Sequence, residues 1–195
     1  MKRFYLLFLF SLLISLGQAN PSRGYVITKN GMHLTGSIGK IYHSNFTSEV
    51  IFTNDLGTTY SYSPGLISGF VFEQDSTMFF YESKIDQGRW FFFQVLEKGM
   101  GMNLYKSPTE KVKLYVQDGI VDSYSYKSTE YWVEVKGRHP VRVNRWNFRK
   151  KMRRLLRNLA PELSQKIGTP GYRFRNLEEI VSECNQKFRP GSKLI

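Results

Sequence analysis

Residues 24–38 read Gly-Tyr-Val-Ile-Thr-Lys-Asn-Gly-Met-His-Leu-Thr-Gly-Ser-Ile. A β-prone run over 24–30 ends on Asn30-Gly31, a dipeptide suited to the positive φ angles of a tight hairpin turn. Leu34, Gly36 and Ile38 then alternate with His33, Thr35 and Ser37, the two-residue period of a strand. The pattern continues outward. Strands are expected over 49–53, 58–62, 67–73, 77–83, 90–96, 102–106, 112–116, 123–127 and 131–135. Between them lie Asn54-Asp55-Leu56-Gly57, Pro64-Gly65, Gln87-Gly88, Lys98-Gly99, Ser107-Pro108 and Asp118-Gly119. Short β-branched and aromatic runs at this spacing predict an antiparallel sheet, barrel or sandwich-like. Residues 77–81 and 89–93 hold consecutive aromatics, which a strand points to opposite faces. Both faces there need cover, and the C-terminal helices are the expected source.

Past residue 140 the period changes. Phe148, Met152, Leu155, Leu156 and Leu159 form one helical stripe, which Pro161 stops. Residues 162–167 add a turn or two. Asn176 and Glu179 have the spacing of a capping box. Leu177, Ile180, Val181, Cys184 and Phe188 make a second stripe, with Cys184 as a small buried hydrophobe. The fold class expected is α+β: a mainly antiparallel β part followed by a small α-helical C-terminal unit.

Residues 1–19 have the layout of a cleaved signal peptide. Lys2 and Arg3 precede an apolar run over 4–16, and small residues lead to a cut after Ala19. The run is about 13 residues, short of the roughly 20 that span a bilayer. No cysteine follows the cut, which argues against a lipoprotein anchor. No later segment reads as a transmembrane helix. The expected location is exported: periplasmic, cell-surface or secreted. The expected division is signal peptide 1–19, β-rich domain 20–135, and basic helical unit 136–195 with a frayed tail.

The formal charge of +12 is unevenly placed. Residues 20–135 hold 10 Lys+Arg and 12 Asp+Glu, a net of −2, while 136–195 hold 16 and 4, a net of +12. Arg142, Arg145, Arg149, Lys150, Arg153, Arg154 and Arg157 are the anion-binding candidates, several of them on the face opposite the first apolar stripe. Cations early in a helix oppose its macrodipole, so a bound anion would relieve them. The acids Glu73, Asp75, Glu82, Asp86 and Asp122 are the internal alternative.

The single cysteine excludes a disulfide framework and a Cys-based metal site. His33, His43 and His139 are isolated, so no metal and no cofactor are expected. There is no HExxH, GxSxG or phosphate-cradling glycine loop. Enzymatic activity is left open, with no signature favouring it.

The segments GYVITKNGMHLTGSI (24–38), VIFTND (50–55), YSPGLISGF (62–70), MFFYES and RWFFFQVLEKGMGMNLY (within 78–105) and NLEEIVSECNQKF (176–188) resemble those of exported β-rich proteins of Bacteroidota-type bacteria. The resemblance implies an exported β-rich domain followed by helices, and carries over no functional residue. The expected function is a non-catalytic cell-envelope binding or scaffold protein. Its cationic helix would face an anionic membrane surface, an acidic polysaccharide or an acidic protein. Export disfavours nucleic acid. The alternative is an envelope hydrolase acting on glycan or peptide.

Overall fold

The computed structural model describes residues 21–44, 47–107, 110–117, 120–127 and 130–189, with the backbone alone from 110 to 127. The segment read as a leader, Pro108, the Asp118-Gly119 turn and the tail past Arg189 lie outside these residues, as does the Asp122 side chain.

The strands are β1 (Ser22–Thr28), β2 (His33–His43), β3 (Ser48–Asn54), β4 (Thr59–Tyr62), β5 (Ile67–Gln74), β6 (Thr77–Asp86), β7 (Arg89–Lys98), β8 (Met102–Lys106), β9 (Glu110–Gln117), β10 (Ile120–Lys127), β11 (Tyr131–Val135) and β12 (Val141–Val143). The helices are α1 (Phe148–Leu156), α2 (Pro161–Lys166) and α3 (Leu177–Gln186), with a 3-10 turn at Phe174–Asn176. Ten strands form one open antiparallel sheet in the order β12-β11-β8-β7-β6-β5-β1-β2-β3-β4, and β9-β10 form a separate hairpin. The antiparallel β part and the helical unit are as the sequence predicts.

A polar seam curls the sheet. Pairing of β7 with β8 ends at Gln94 and Lys106, which leaves the first half of β7 uncovered on that side. Ser48, at the start of β3, fills the gap: its Oγ accepts a hydrogen bond from Phe92 N at 3.1 Å. His43 Nδ1 lies 2.9 Å from the same Oγ, and His43 Nε2 lies 3.3 Å from Ser107 Oγ. All three side chains are buried. Inside the curl lies a core of Val26, Ile38, Val50, Phe52, Ile67, Phe70, Phe72, Tyr81 and Phe92.

The helices cover the other half of the sheet. Phe148, Met152, Leu155, Leu156, Leu163, Ile167, Leu177, Ile180, Val181 and Cys184 pack on Met102, Leu104, Val133 and Val143. The aromatic run of β7 divides between faces as strand geometry requires. Phe92 enters the curl, while Phe91 and Phe93 join Tyr105 and Trp132 in a third cluster rather than lying under the helices. Strand β12 is a further difference. Its three residues are too short a run to show a period, and pairing with β11 is what makes them a strand.

Asn185 ties the helices to the sheet. It is 4% exposed. Its Oδ1 accepts from Met102 N at 2.8 Å, and its Nδ2 donates to Met102 O at 3.0 Å. A side-chain amide thus completes the backbone pairing at the start of β8. The approach needs Gly99, where a Cβ would stand 2.1 Å from Asn185 Cγ. Asn176 does precede α3, but its side chain makes no capping bond. Its Oδ1 is buried without a partner, because the 3-10 turn takes up the approach to the helix.

Two outcomes follow. Asn185→Ala orphans two buried backbone groups and costs about 3 kcal/mol in urea unfolding. Gly99→Ala is also destabilising, yet the double variant loses clearly less than the sum, because removing the amide makes room for the new methyl. Burial pushes the Cys184 thiol up to about 11. Cys184 therefore resists alkylation in the native state and reacts on unfolding, as a timed thiol assay would show.

Candidate anion-binding site

A turn, a helix start and a loop form the site. In the turn, Asn144 and Asn147 bind each other's backbone. Asn144 Oδ1 accepts from Trp146 N at 3.1 Å and Asn147 N at 3.0 Å, and Asn147 Oδ1 accepts from Asn144 N at 2.9 Å. These bonds fix Arg145 and Trp146 just ahead of α1, and Trp146 is 95% exposed. The loop after α2 is equally tied. Gly168 N donates to Tyr172 O at 2.8 Å, and Tyr172 N donates to Thr169 O at 3.0 Å.

Between turn and loop lies a cavity of about 570 Å³, lined by Arg145, Phe148, Gly168, Arg173, Phe174 and Arg175. Phe148 and Phe174 meet edge to face at 5.9 Å, and Phe174 meets Tyr131 likewise at 5.6 Å. Gly168 has φ +102°, a left-handed conformation that favours glycine. It also leaves space for Arg149, whose Nε would be 2.8 Å from a Cβ there. Among the described residues, no ion pair or hydrogen bond engages the side chains of Arg145, Arg149, Arg173 or Arg175. Glu178, at the start of α3, adds its charge to the effect of burial in raising the Tyr131 hydroxyl above its ordinary value.

The sequence candidates separate here. Arg145 lines the cavity and Arg149 borders it. Arg142 instead pairs with Glu130. Arg153 turns inward, donating from Nη2 to Ile167 O at 3.0 Å, and so joins α1 to the end of α2. Lys150, Arg154 and Arg157 are exposed on α1, or at its end, away from the cavity lining. Arg173 and Arg175 were missed. They lie in a segment without periodicity, where only their position as the nearest basic residues before α3 could have marked them. The first turn of α1 holds no acid. None of the described ion pairs joins α1 to Glu73, Asp75, Glu82 or Asp86.

Glu82 and its neighbours are engaged elsewhere, on the sheet face opposite the helices. Tyr105 hydroxyl lies 2.7 Å from Glu134 Oε2 and 3.1 Å from Glu82 Oε2. Lys84 Nζ is 3.1 Å from both Glu134 oxygens and 3.4 Å from Glu82, while Lys98 also pairs with Glu82. Asn103 Nδ2 donates to Glu134 at 2.8 Å. Burial alone would raise both carboxyl groups. For Glu82 the Lys98 bond and the Lys84 and Lys98 charges outweigh it, and for Glu134 the Asn103, Tyr105 and Lys84 bonds do. Both stay below the usual range, ionised. Tyr105 is held neutral, its hydroxyl pushed well above the usual phenol range by burial and the two carboxylates.

Among the described residues, no group of His, Cys, Asp and Glu is arranged to hold a metal. Among the described residues, no helix is long and apolar enough to cross a membrane. The chain matches no family model, no curated protein and no solved structure.

The carboxylate cluster has a pH signature. A depressed folded-state pKa adds stability above the unfolded value near 4, which is lost as pH falls through the folded one. Urea midpoints should hold from neutral pH to about 5 and then fall. In Glu134→Gln the neutral-pH midpoint is lower and the acid fall smaller.

Proposed function

We propose that this chain is an exported, non-catalytic cell-envelope binding or scaffold protein that holds an anionic partner against the arginine-flanked cavity. The observation that carries the reading is the set of four arginines, Arg145, Arg149, Arg173 and Arg175, around one cavity and without an ionic partner among the described residues. Like charges held together by a rigid turn and a tied loop repel, and an anion relieves the repulsion. Arginine suits the task because its planar fork binds oxyanions in pairs of hydrogen bonds. Export rests on the leader-like residues 1–19 and on the resemblance to exported proteins of Bacteroidota-type bacteria. Lipid headgroups, an acidic polysaccharide or an acidic protein supply the charge, and an exported protein has little nucleic acid to meet.

The second reading, an envelope hydrolase, has the converging Glu82 and Glu134 as its motive. General acid catalysis needs one of two carboxyl groups protonated near neutral pH. Here both are held ionised, and the Tyr105 hydroxyl and Lys84 ammonium occupy the space between them. That arrangement suits a static brace across β6, β8 and β11.

The test is retention on immobilised dextran sulfate. The protein should bind at about 0.02 M salt and elute by about 0.5 M, because exposed charges are screened over that range. Reversing Arg145, Arg173 and Arg175 to Glu should abolish retention. Reversing the exposed Lys40, Lys136 and Arg138 changes net charge equally and should leave most of it. Equal loss in the two triple variants would reduce the effect to bulk charge and overturn the reading.

A further inference from the structure

Trp146 is the feature that an anion alone leaves unexplained. It stands between Arg145 and Phe148, both of which line the cavity, and it is 95% exposed. The reciprocal Asn144 and Asn147 bonds hold its backbone outward. A large apolar ring kept in water by a rigid turn gains from a partner that offers an apolar layer. The arginines beside it gain from a partner that offers oxyanions. An acidic polysaccharide supplies charge without the apolar layer. A phospholipid surface supplies both, with phosphates at headgroup level and, just below, the interfacial zone that tryptophan prefers.

We infer that the corner formed by residues 144–149 docks on an anionic phospholipid surface. A lipid phosphate enters the cavity between Arg145, Arg173 and Arg175, and the Trp146 indole settles into the interface. This rests on the anion-binding reading and names its partner. The helix itself does not lie in the membrane, because its apolar stripe of Phe148, Met152, Leu155 and Leu156 is buried against the sheet. Contact is confined to a tip. Lys150, Arg154 and Arg157, exposed along or just after α1, extend the attraction to neighbouring headgroups beyond the cavity. The geometry is therefore that of a peripheral protein with one aromatic anchor and a phosphate socket, and two weak signals together give reversible attachment.

The test uses the purified protein with phosphatidylcholine vesicles, with and without phosphatidylglycerol. Binding is read by sedimentation and by tryptophan emission, with Trp146→Phe subtracting the signals of Trp90 and Trp132. The expected result is binding only where phosphatidylglycerol is present, with a blue shift that Trp146→Phe removes. Trp146→Ser should weaken binding about tenfold. Arg173→Glu with Arg175→Glu should weaken it at least as much, and inorganic phosphate should compete. All three positions are exposed, and unchanged circular dichroism confirms that the variants fold.

Vesicle binding with no change in Trp146 emission, and with Trp146→Ser behaving as wild type, overturns the anchor. Retention on dextran sulfate without vesicle binding overturns the lipid partner and leaves the anion-binding reading standing. Inorganic phosphate bound through Arg173 and Arg175 without vesicle binding makes free phosphate the ligand, and also overturns the lipid source. Binding to none of these anions overturns both proposals.

Discussion

The double hydrogen bond from Asn185 to the backbone of Met102 is the contact on which the arrangement of the two parts depends. An apolar stripe can slide or rotate on an apolar sheet at modest cost. An amide that must meet one N–H and one C=O at the same time cannot, because a buried unpaired backbone group costs more than a shifted methyl gains. Asn185 therefore sets the position of α3 along β8, and the missing Cβ at Gly99 makes the approach possible. From α3 the constraint runs back through the 3-10 turn to Phe174. That ring packs edge to face on Tyr131 and Phe148, which brings Arg173 and Arg175 opposite Arg145. The cavity is thus a consequence of how the last helix is registered.

Charge follows a similar logic. On the far face, acids and cations satisfy one another: Glu82 and Glu134 share Lys84, Lys98, Asn103 and Tyr105. Half-burial strengthens these contacts, so the cluster acts as a brace. The helical unit has few acids, and the two in described ion pairs, Glu162 and Glu183, bind lysines and not the cavity arginines. Glu162, for example, pairs with Lys187. The fold brings its arginines together at one corner, where no ion pair among the described residues engages them. Trp146 in the middle of that corner turns a charged patch into an amphipathic one.

Much of the architecture was legible because it is local. Asn30-Gly31 and Gln87-Gly88 take the φ values that hairpin turns demand of glycine, with Gly31 at +84° and Gly88 at +78°. The stripes Phe148/Met152/Leu155/Leu156 and Leu177/Ile180/Val181/Cys184 are buried as their period implies. Strand β12 was not legible, since three residues carry no period and only the edge of β11 gives them a partner. The seam of Ser48, His43 and Ser107 was invisible for the opposite reason: its members are distant in sequence and unremarkable one by one.

The candidate site shows the same division. Sequence alone determined that an excess of cations lies in the last 60 residues and that one helix carries many of them, since charge and periodicity are properties of the chain itself. Tertiary structure decided which of these cations are free to act. It spent Arg142 on Glu130 and Arg153 on Ile167, and brought Arg173 and Arg175 from an aperiodic loop to face Arg145. The reason is physical: a side chain's availability depends on which partners packing places within hydrogen-bond reach, and those partners come from anywhere along the sequence.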